Sequence, residues 1–321
     1  MLKVPSKSIA WLDYLFIFRP TLFFAVWIIT LAGYSGYFIF SEKQPAWWSL
    51  EVNWKLVLGF IVVTMATGAT FILNQLHDIE SDKENRKLFL ISEEHIKADL
   101  ALKIALITIG VSLVLALIIN WQFFIALGIC VFFWGYLYNY KPFEWKDKPM
   151  LGVLVNFISG LCLFICGWII AGKWQLKDII YAIPYLLAWT AVAVLTTIPD
   201  KEGDLKTGKK TISVHYENRV TIWLAFICLV LSFALGMYFN DPVISLSCLL
   251  SSPLFIIMLF KPTEAWVLRS IRYSILFLAL VLCVEFPLFF IVLLINYYLC
   301  RFYYLSRFNL NYPTFQVEES E

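Results

Sequence analysis

Asn74, Asp78 and Asp82 stand four residues apart where an apolar run from Lys55 to Leu76 ends. On a helix that spacing puts all three on one face. Carboxylates at the end of a membrane helix are costly unless they meet water, a cation or a partner. Asp200 and Asp204 repeat the spacing after a second apolar run. Four carboxylates gathered in one cavity repel each other and require cations at neutral pH. All-oxygen ligation suits Mg²⁺, which keeps several waters and is completed by substrate phosphates. Two acidic pairs facing each other therefore suggest a diphosphate bridged by Mg²⁺. Arg86, Lys87, Lys206, Lys209 and Lys210 flank the acids and would neutralise phosphate oxygens; singly, each reads as an ordinary basic loop residue.

The elements that must position these residues are membrane helices. The chain has 321 residues, of which 61% are hydrophobic and 15% charged, and its mean hydropathy is +0.77. Soluble domains are about 45–50% apolar. The expected fold is all-α and polytopic, one transmembrane domain over 1–321 with helices around a central cavity. Spanning a bilayer takes about 20 apolar residues. Nine runs meet that length: 21–40, 55–76, 99–119, 122–138, 151–171, 179–198, 220–239, 243–260 and 271–299. The last contains Pro287 and reads as one kinked helix or as a helix with an interfacial piece. Glu285 lies deep in this run, where an acid is either functional or kept neutral by burial.

Short and long connections alternate, so one side carries nearly all the loop mass. With nine spans, 19 of the 25 Lys and Arg fall on that side. The bias predicts cytoplasmic long loops and N-terminus and an external C-terminus, in the inner or plasma membrane if the source is bacterial. The net charge of +2 carries no signal for nucleic acid, and no obligate protein partner is visible. The seven cysteines are scattered through apolar runs without a histidine-bearing metal spacing and read as small buried hydrophobes. No early apolar run with a cleavage site follows Lys3 and Lys7, so no cleavable signal peptide is expected. The acidic tail 316–321 reads as disordered.

Taken together, the motifs resemble the UbiA superfamily of intramembrane prenyltransferases. Its first signature, an Asn with Asp four and eight positions on and then Asn-Arg, is matched by Asn74, Asp78, Asp82, Asn85 and Arg86. Its second is matched by Asp200, Glu202, Gly203, Asp204, Gly208, Lys209, Lys210 and Thr211. A third, at the end of the fourth helix, is matched by Tyr138, Pro142 and Lys146, and an Arg-Pro before the first helix by Arg19-Pro20. Three departures bear on the subfamily. Thr196 replaces a further acid, the loop before the third helix reads LFLISEEHI, and Lys141 replaces a proline.

The resemblance implies transfer of a prenyl group from an allylic prenyl diphosphate to a lipophilic acceptor: an aromatic compound, a quinone precursor or a pigment-like molecule. It implies Mg²⁺ on Asn74, Asp78 and Asp82 and on Asp200 and Asp204, with Asp78 and Asp200 the leading catalytic acids. It also implies diphosphate contacts from Arg19, Asn74, Arg86, Tyr138, Lys146 and Lys209. The expected partners are membrane lipid, the prenyl diphosphate and the acceptor. Phe71, Tyr138 and Trp189 are expected to line the dry cavity that an allylic cation needs. His77 sits about 100° off the face of Asp78 and reads as interfacial. A lipid phosphotransferase would show Asp-Gly and Ala-Arg elements near the acids, and these are missing. A cation-coupled transporter would place its acids near the bilayer midplane, whereas these lie at helix ends.

Overall fold

In a computed structural model, which describes residues 9–41, 53–84 and 89–317, the chain is helical with no strand among the described residues. Two turns, Ala10–Leu12 and Asp13–Phe16, lead to a third, Pro20–Leu22, and on into α1 (Phe23–Phe40). Helix α2 (Trp54–His77) carries the first acidic motif, which continues into the short α3 (Ile79–Glu84). Then come α4 (Ala98–Ile119), α5 (Trp121–Val131, continued by a π-turn over Phe132–Leu137), α6 (Pro149–Ala171) and α7 (Ile183–Leu195). The second motif forms α8 (Lys201–Lys206), followed by α9 (Asn218–Tyr238), α10 (Pro242–Phe260), α11 (Glu264–Glu285) and α12 (Pro287–Phe308).

Caps explain the tight connections. Asn120 turns α4 into α5 by accepting from Gln122 N (2.6 Å), and Asp241 turns α9 into α10 by accepting from Val243 N (3.0 Å). Among the described residues nine helical segments, 19 to 31 residues long when the turns leading into α1 and α7 are included, are long and apolar enough to cross a membrane. Outward side chains such as Ile107, Val114 and Ile118 on α4 leave an apolar exterior that suits lipid.

Among the described residues nine helices meet the length, as expected, and the shorter apolar helix Trp121–Leu137 runs between α4 and α6 beside them, so the set differs from the expected one at two places. The run 122–138 yields the shorter apolar helix Trp121–Leu137, whose last turns are π-helical. The run 271–299 is neither a kinked helix nor a helix with an interfacial piece. It breaks at Phe286, held extended ahead of Pro287, and Pro287 opens α12. α12 runs back along α11, and the segment after it reaches Arg272, whose guanidinium donates to Thr314 O and Gln316 O. Arg307 meets Asp13 (2.9 Å). The two described ends of the chain therefore share one end of the bundle, whereas an odd number of crossings would set them at opposite ends.

The helices enclose a central space. α1 packs closely on α6, because Gly33 and Gly167 let the two backbones touch. A Cβ at Gly33 would fall on the carbonyl oxygen of Phe164, and one at Gly167 on that of Thr30. Glu285 is buried and accepts from Ser35 Oγ (2.5 Å), stitching α11 to α1. Gly110 on α4, by contrast, has open space around it. Gly33→Ala or Gly167→Ala should therefore cost about 1–3 kcal/mol or more through overpacking. Gly110→Ala should be neutral or mildly stabilising. Thermal unfolding in detergent compares the three.

Candidate active site

Asp78 caps the C-terminus of α2, its N–H returning to Asn74 O (3.0 Å). One turn back, Asn74 Nδ2 donates to Asp78 Oδ2 (2.6 Å), as their four-residue spacing allows. Two lysines from other parts of the chain meet the second carboxylate oxygen. Lys146 Nζ and Lys209 Nζ each lie 2.7 Å from Asp78 Oδ1. Lys146 arrives on a loop that folds back on the end of α5, its N–H reaching Tyr138 O (3.4 Å). Lys209 follows Gly208, whose φ of +74° ends α8 in a left-handed turn. There Lys209 N returns to Asp204 O (2.9 Å) and Gly208 N to Leu205 O (3.2 Å). The two lysine loops are tied directly by Lys210 N donating to Asp147 O (3.2 Å).

The second acidic pair sits beside the first. Asp200 is the N-cap residue of α8, and Asp204 N donates to its carbonyl (2.9 Å). α3 packs on α8, so the helix bearing Asp82 lies against the helix bearing Asp204, and both aspartates are buried. Thr211 Oγ1 donates to Asp204 Oδ2 (3.1 Å). Burial pushes the Asp204 carboxyl above its ordinary range, and the charges of Asp200 and Asp78 push the same way against Lys209 and Thr211. For Asp78, burial acts in the same upward direction, but Lys146 and Lys209 overcome it and hold the carboxyl below its usual range. Lys209 is raised in turn, mainly by Asp78 acting against burial.

A hard divalent cation fits this set of donors. The ligands on offer are all oxygens, and the like-charge crowding at Asp204 is what a cation relieves. Among the described residues no three His, Cys, Asp or Glu side chains converge on one point. Substrate oxygens and water must therefore complete the coordination of any ion bound here.

Below the charged groups lies a cavity of about 450 Å³. Arg19, Asn74, Tyr138 and Thr196 are among the residues at its polar end. Phe71, Trp134 and Trp189 form an aromatic wall, and Ile28, Ile29, Leu229, Ile244 and Leu278 line the apolar remainder. From Phe255 to Ile244 the lining follows roughly 16 Å of α10. Phe71, Tyr138 and Trp189 thus lie where expected, and Thr196, the residue replacing an acid, faces the same space. His77 packs against Tyr140. Arg86 lies outside the described residues.

Two residues escaped the sequence reading. Asn139 Oδ1 accepts from Asn74 Nδ2 (3.2 Å) and lies 3.5 Å from Lys146 Nζ, while its amide donates to Trp134 O and Gly135 O. It thereby ties the acid, the lysine and the π-turn together. Its only sequence signal was its place next to Tyr138 at an apolar helix end. Asp147 is half-buried beside Lys146 and Lys209, and burial raises its carboxyl above the ordinary range.

The model of the UbiA prenyltransferase family matches residues 25–271, more than three quarters of the chain. The chain belongs to the UbiA prenyltransferase family. This UbiA protein is therefore a prenyltransferase. It is 28% identical over 204 residues to a digeranylgeranylglyceryl phosphate synthase of Sulfurisphaera tokodaii, covering 63% of this chain and 69% of that one. It is 24% identical over 213 residues to the chloroplastic 2-acyl-4-prenylphloroglucinol 6-prenyltransferase of Humulus lupulus, covering 64% of this chain and 52% of that one. In fold it is similar to a UbiA homolog from Archaeoglobus fulgidus bound to GPP and Mg²⁺, with a TM-score of 0.63 at 19% identity, covering 85% of this chain and 99% of that one.

The lysine clamp has a measurable pH signature in this UbiA protein. Asp78 is held below its ordinary value of about 3.9, so its ion pairs contribute stability that is fully present above that value. The contribution is lost as the pH falls through the lower, folded value. Asp78→Asn removes the carboxylate that both lysines pair with most closely. Its unfolding temperature should be lower at pH 7 and should fall less steeply between pH 5 and pH 3 than that of the unsubstituted protein. Parallel pH profiles would show that the clamp does not stabilise the fold.

Proposed function

We propose that the protein transfers the prenyl group of an allylic prenyl diphosphate to a lipophilic acceptor in the central cavity, with Mg²⁺ at the two acidic motifs. The observation that carries this reading is the meeting of Asn74, Asp78, Lys146 and Lys209 at the end of an aromatic-walled cavity. Polar groups suited to a diphosphate lie at one end, and the space for an isoprenoid chain lies beyond them.

Asn74, Asp78 and Asp82 on one side and Asp200 and Asp204 on the other are the residues that would hold Mg²⁺. When bound, it would neutralise the charge that builds on the leaving diphosphate. In the free protein Lys146 and Lys209 spend their charge on Asp78. An arriving diphosphate offers the same lysines stronger acceptors, so both exchange one partner for another with no net loss of pairing. Arg19 and Tyr138 extend the contact into the cavity. Fixed cations favour the departing diphosphate more than the intact ester, which lowers the barrier to breaking the allylic C–O bond. Phe71, Trp134 and Trp189 turn aromatic surfaces to the cavity, where they stabilise an allylic cation. The apolar lining keeps water from capturing it, and a nucleophilic carbon or oxygen of the acceptor closes the new bond.

The similarity to both a glycerophosphate-lipid enzyme and an acylphloroglucinol enzyme leaves two acceptor chemistries in view. The apolar lining supports a lipophilic acceptor of either kind. The placement of the acids speaks against ion-coupled transport, since Asp78, Asp200 and Asp204 lie just beyond the ends of α2 and α7 rather than at mid-span.

Purified protein supplied with geranylgeranyl diphosphate, Mg²⁺ and a panel of acceptors should release pyrophosphate and yield a prenylated product by mass spectrometry. A chelator should abolish release and Mg²⁺ restore it. Asp78→Ala and Asp200→Ala should each lower the rate by about 10²-fold or more. Near-normal release from both variants would rule out this site.

A further inference from the structure

Arg19 reaches the cavity from an unusual backbone. Its φ is +57° and ψ is +61°, a left-handed conformation that residues other than glycine rarely adopt. Such a conformation persists only where the surroundings over-determine it. Here the surroundings come largely from α12. Asn296 Nδ2 donates to Pro20 O (3.0 Å), the residue directly after Arg19. Arg307 holds Asp13 through two bonds, Nε to Oδ1 (3.1 Å) and Nη2 to Oδ2 (2.9 Å), and Tyr303 Oη donates to Asp13 Oδ1 (2.7 Å). The ring of Phe16 stacks on Tyr303 at 3.6 Å. α2 completes the grip, with Gln75 Nε2 on Ile17 O (2.8 Å) and Gly68 leaving room for Phe18.

Asp13, Gln75, Asn296, Tyr303 and Arg307 are all buried. A buried amide that donates to the Pro20 carbonyl and accepts from Cys300 Sγ (3.9 Å), beside a strained residue that opens onto the cavity, is a positioning device. Asp13, Asn296 and Arg307 also lie outside the stretch matched by the family model.

We infer that α12 is a positioning helix for the diphosphate site, with Asn296 the residue that sets the backbone of Arg19 and Arg307 the anchor that holds the segment in place. The inference rests on the reading that Arg19 binds diphosphate. Asn296 touches no substrate and acts through Arg19.

The test measures binding of inorganic pyrophosphate, with Mg²⁺ present, to the full chain by calorimetry. Five variants are compared: Arg19→Ala, Asn296→Leu, their combination, Arg307→Lys and Ser232→Ala. Ser232 Oγ donates to Pro184 O (2.7 Å), a buried bond of the same kind elsewhere in the bundle, so this variant reports general loosening. Asn296→Leu should weaken pyrophosphate binding by about tenfold. The double variant should bind no more weakly than Arg19→Ala alone, because the two residues act in series. Ser232→Ala should bind as the unsubstituted protein does. Arg307→Lys, which keeps the charge but loses the forked contact, should weaken binding in the same direction. Unchanged binding in Asn296→Leu, additive losses in the double variant, or an equal loss in Ser232→Ala would each overturn the inference. If Arg19→Ala itself binds normally, the diphosphate reading of Arg19 fails first and the inference with it.

Discussion

A carboxylate with its neighbours removed would be expensive where Asp78 sits, only 12% exposed at the end of a membrane helix. Its charge is met by Lys146 from the α5–α6 loop and Lys209 from the loop after α8, and its other oxygen is met by Asn74. Those contacts draw three connections, far apart in sequence, onto one point. The left-handed turn at Gly208, the fold-back of the Lys146 loop and the bond between Lys210 and Asp147 all serve that convergence. The helices below are arranged so that the three loops can meet, and the cavity lies beneath their meeting point.

The same arrangement explains why the acids do not form a closed cage. A cage of carboxylates would bind a cation firmly without a substrate. Here the two acidic segments are brought side by side by α3 packing on α8, and one acid is already neutralised by lysines. Such a site is suited to a ligand that brings its own negative charge, since that ligand satisfies the lysines and shares any cation at once. Charge balance and substrate selection are therefore one property of the site.

Periodicity made the acids legible. Four-residue spacing at the ends of apolar runs has a direct geometric meaning on a helix, so Asn74, Asp78, Asp200 and Asp204 were readable before any coordinates. Aromatic residues near those motifs, Phe71, Tyr138 and Trp189, could be placed on the cavity for the same reason. Asn139 and Asp147 were not readable, because their roles depend on how the 138–148 loop folds back, and a loop has no period. The last apolar run failed for a different reason. A proline within a hydrophobic stretch can kink a helix or begin a new one, and only the packing of α12 against the N-terminal turns decides between them. That one ambiguity hid the meeting of Arg307 with Asp13.

The return of α12 has a consequence for how the protein comes into being. Asp13 is among the first described residues to leave the ribosome, and Arg307 is among the last. Until α12 is in place Asp13 lacks its partner Arg307, and a buried carboxylate without a counter-charge is unfavourable. The N-terminal turns must therefore wait in water or at the interface while the rest of the bundle assembles. They dock only when the final helix arrives. A nascent or truncated chain that lacks α12 has every acidic motif in place and an entry segment that is still unlatched, so the arrival of α12 is what closes the molecule.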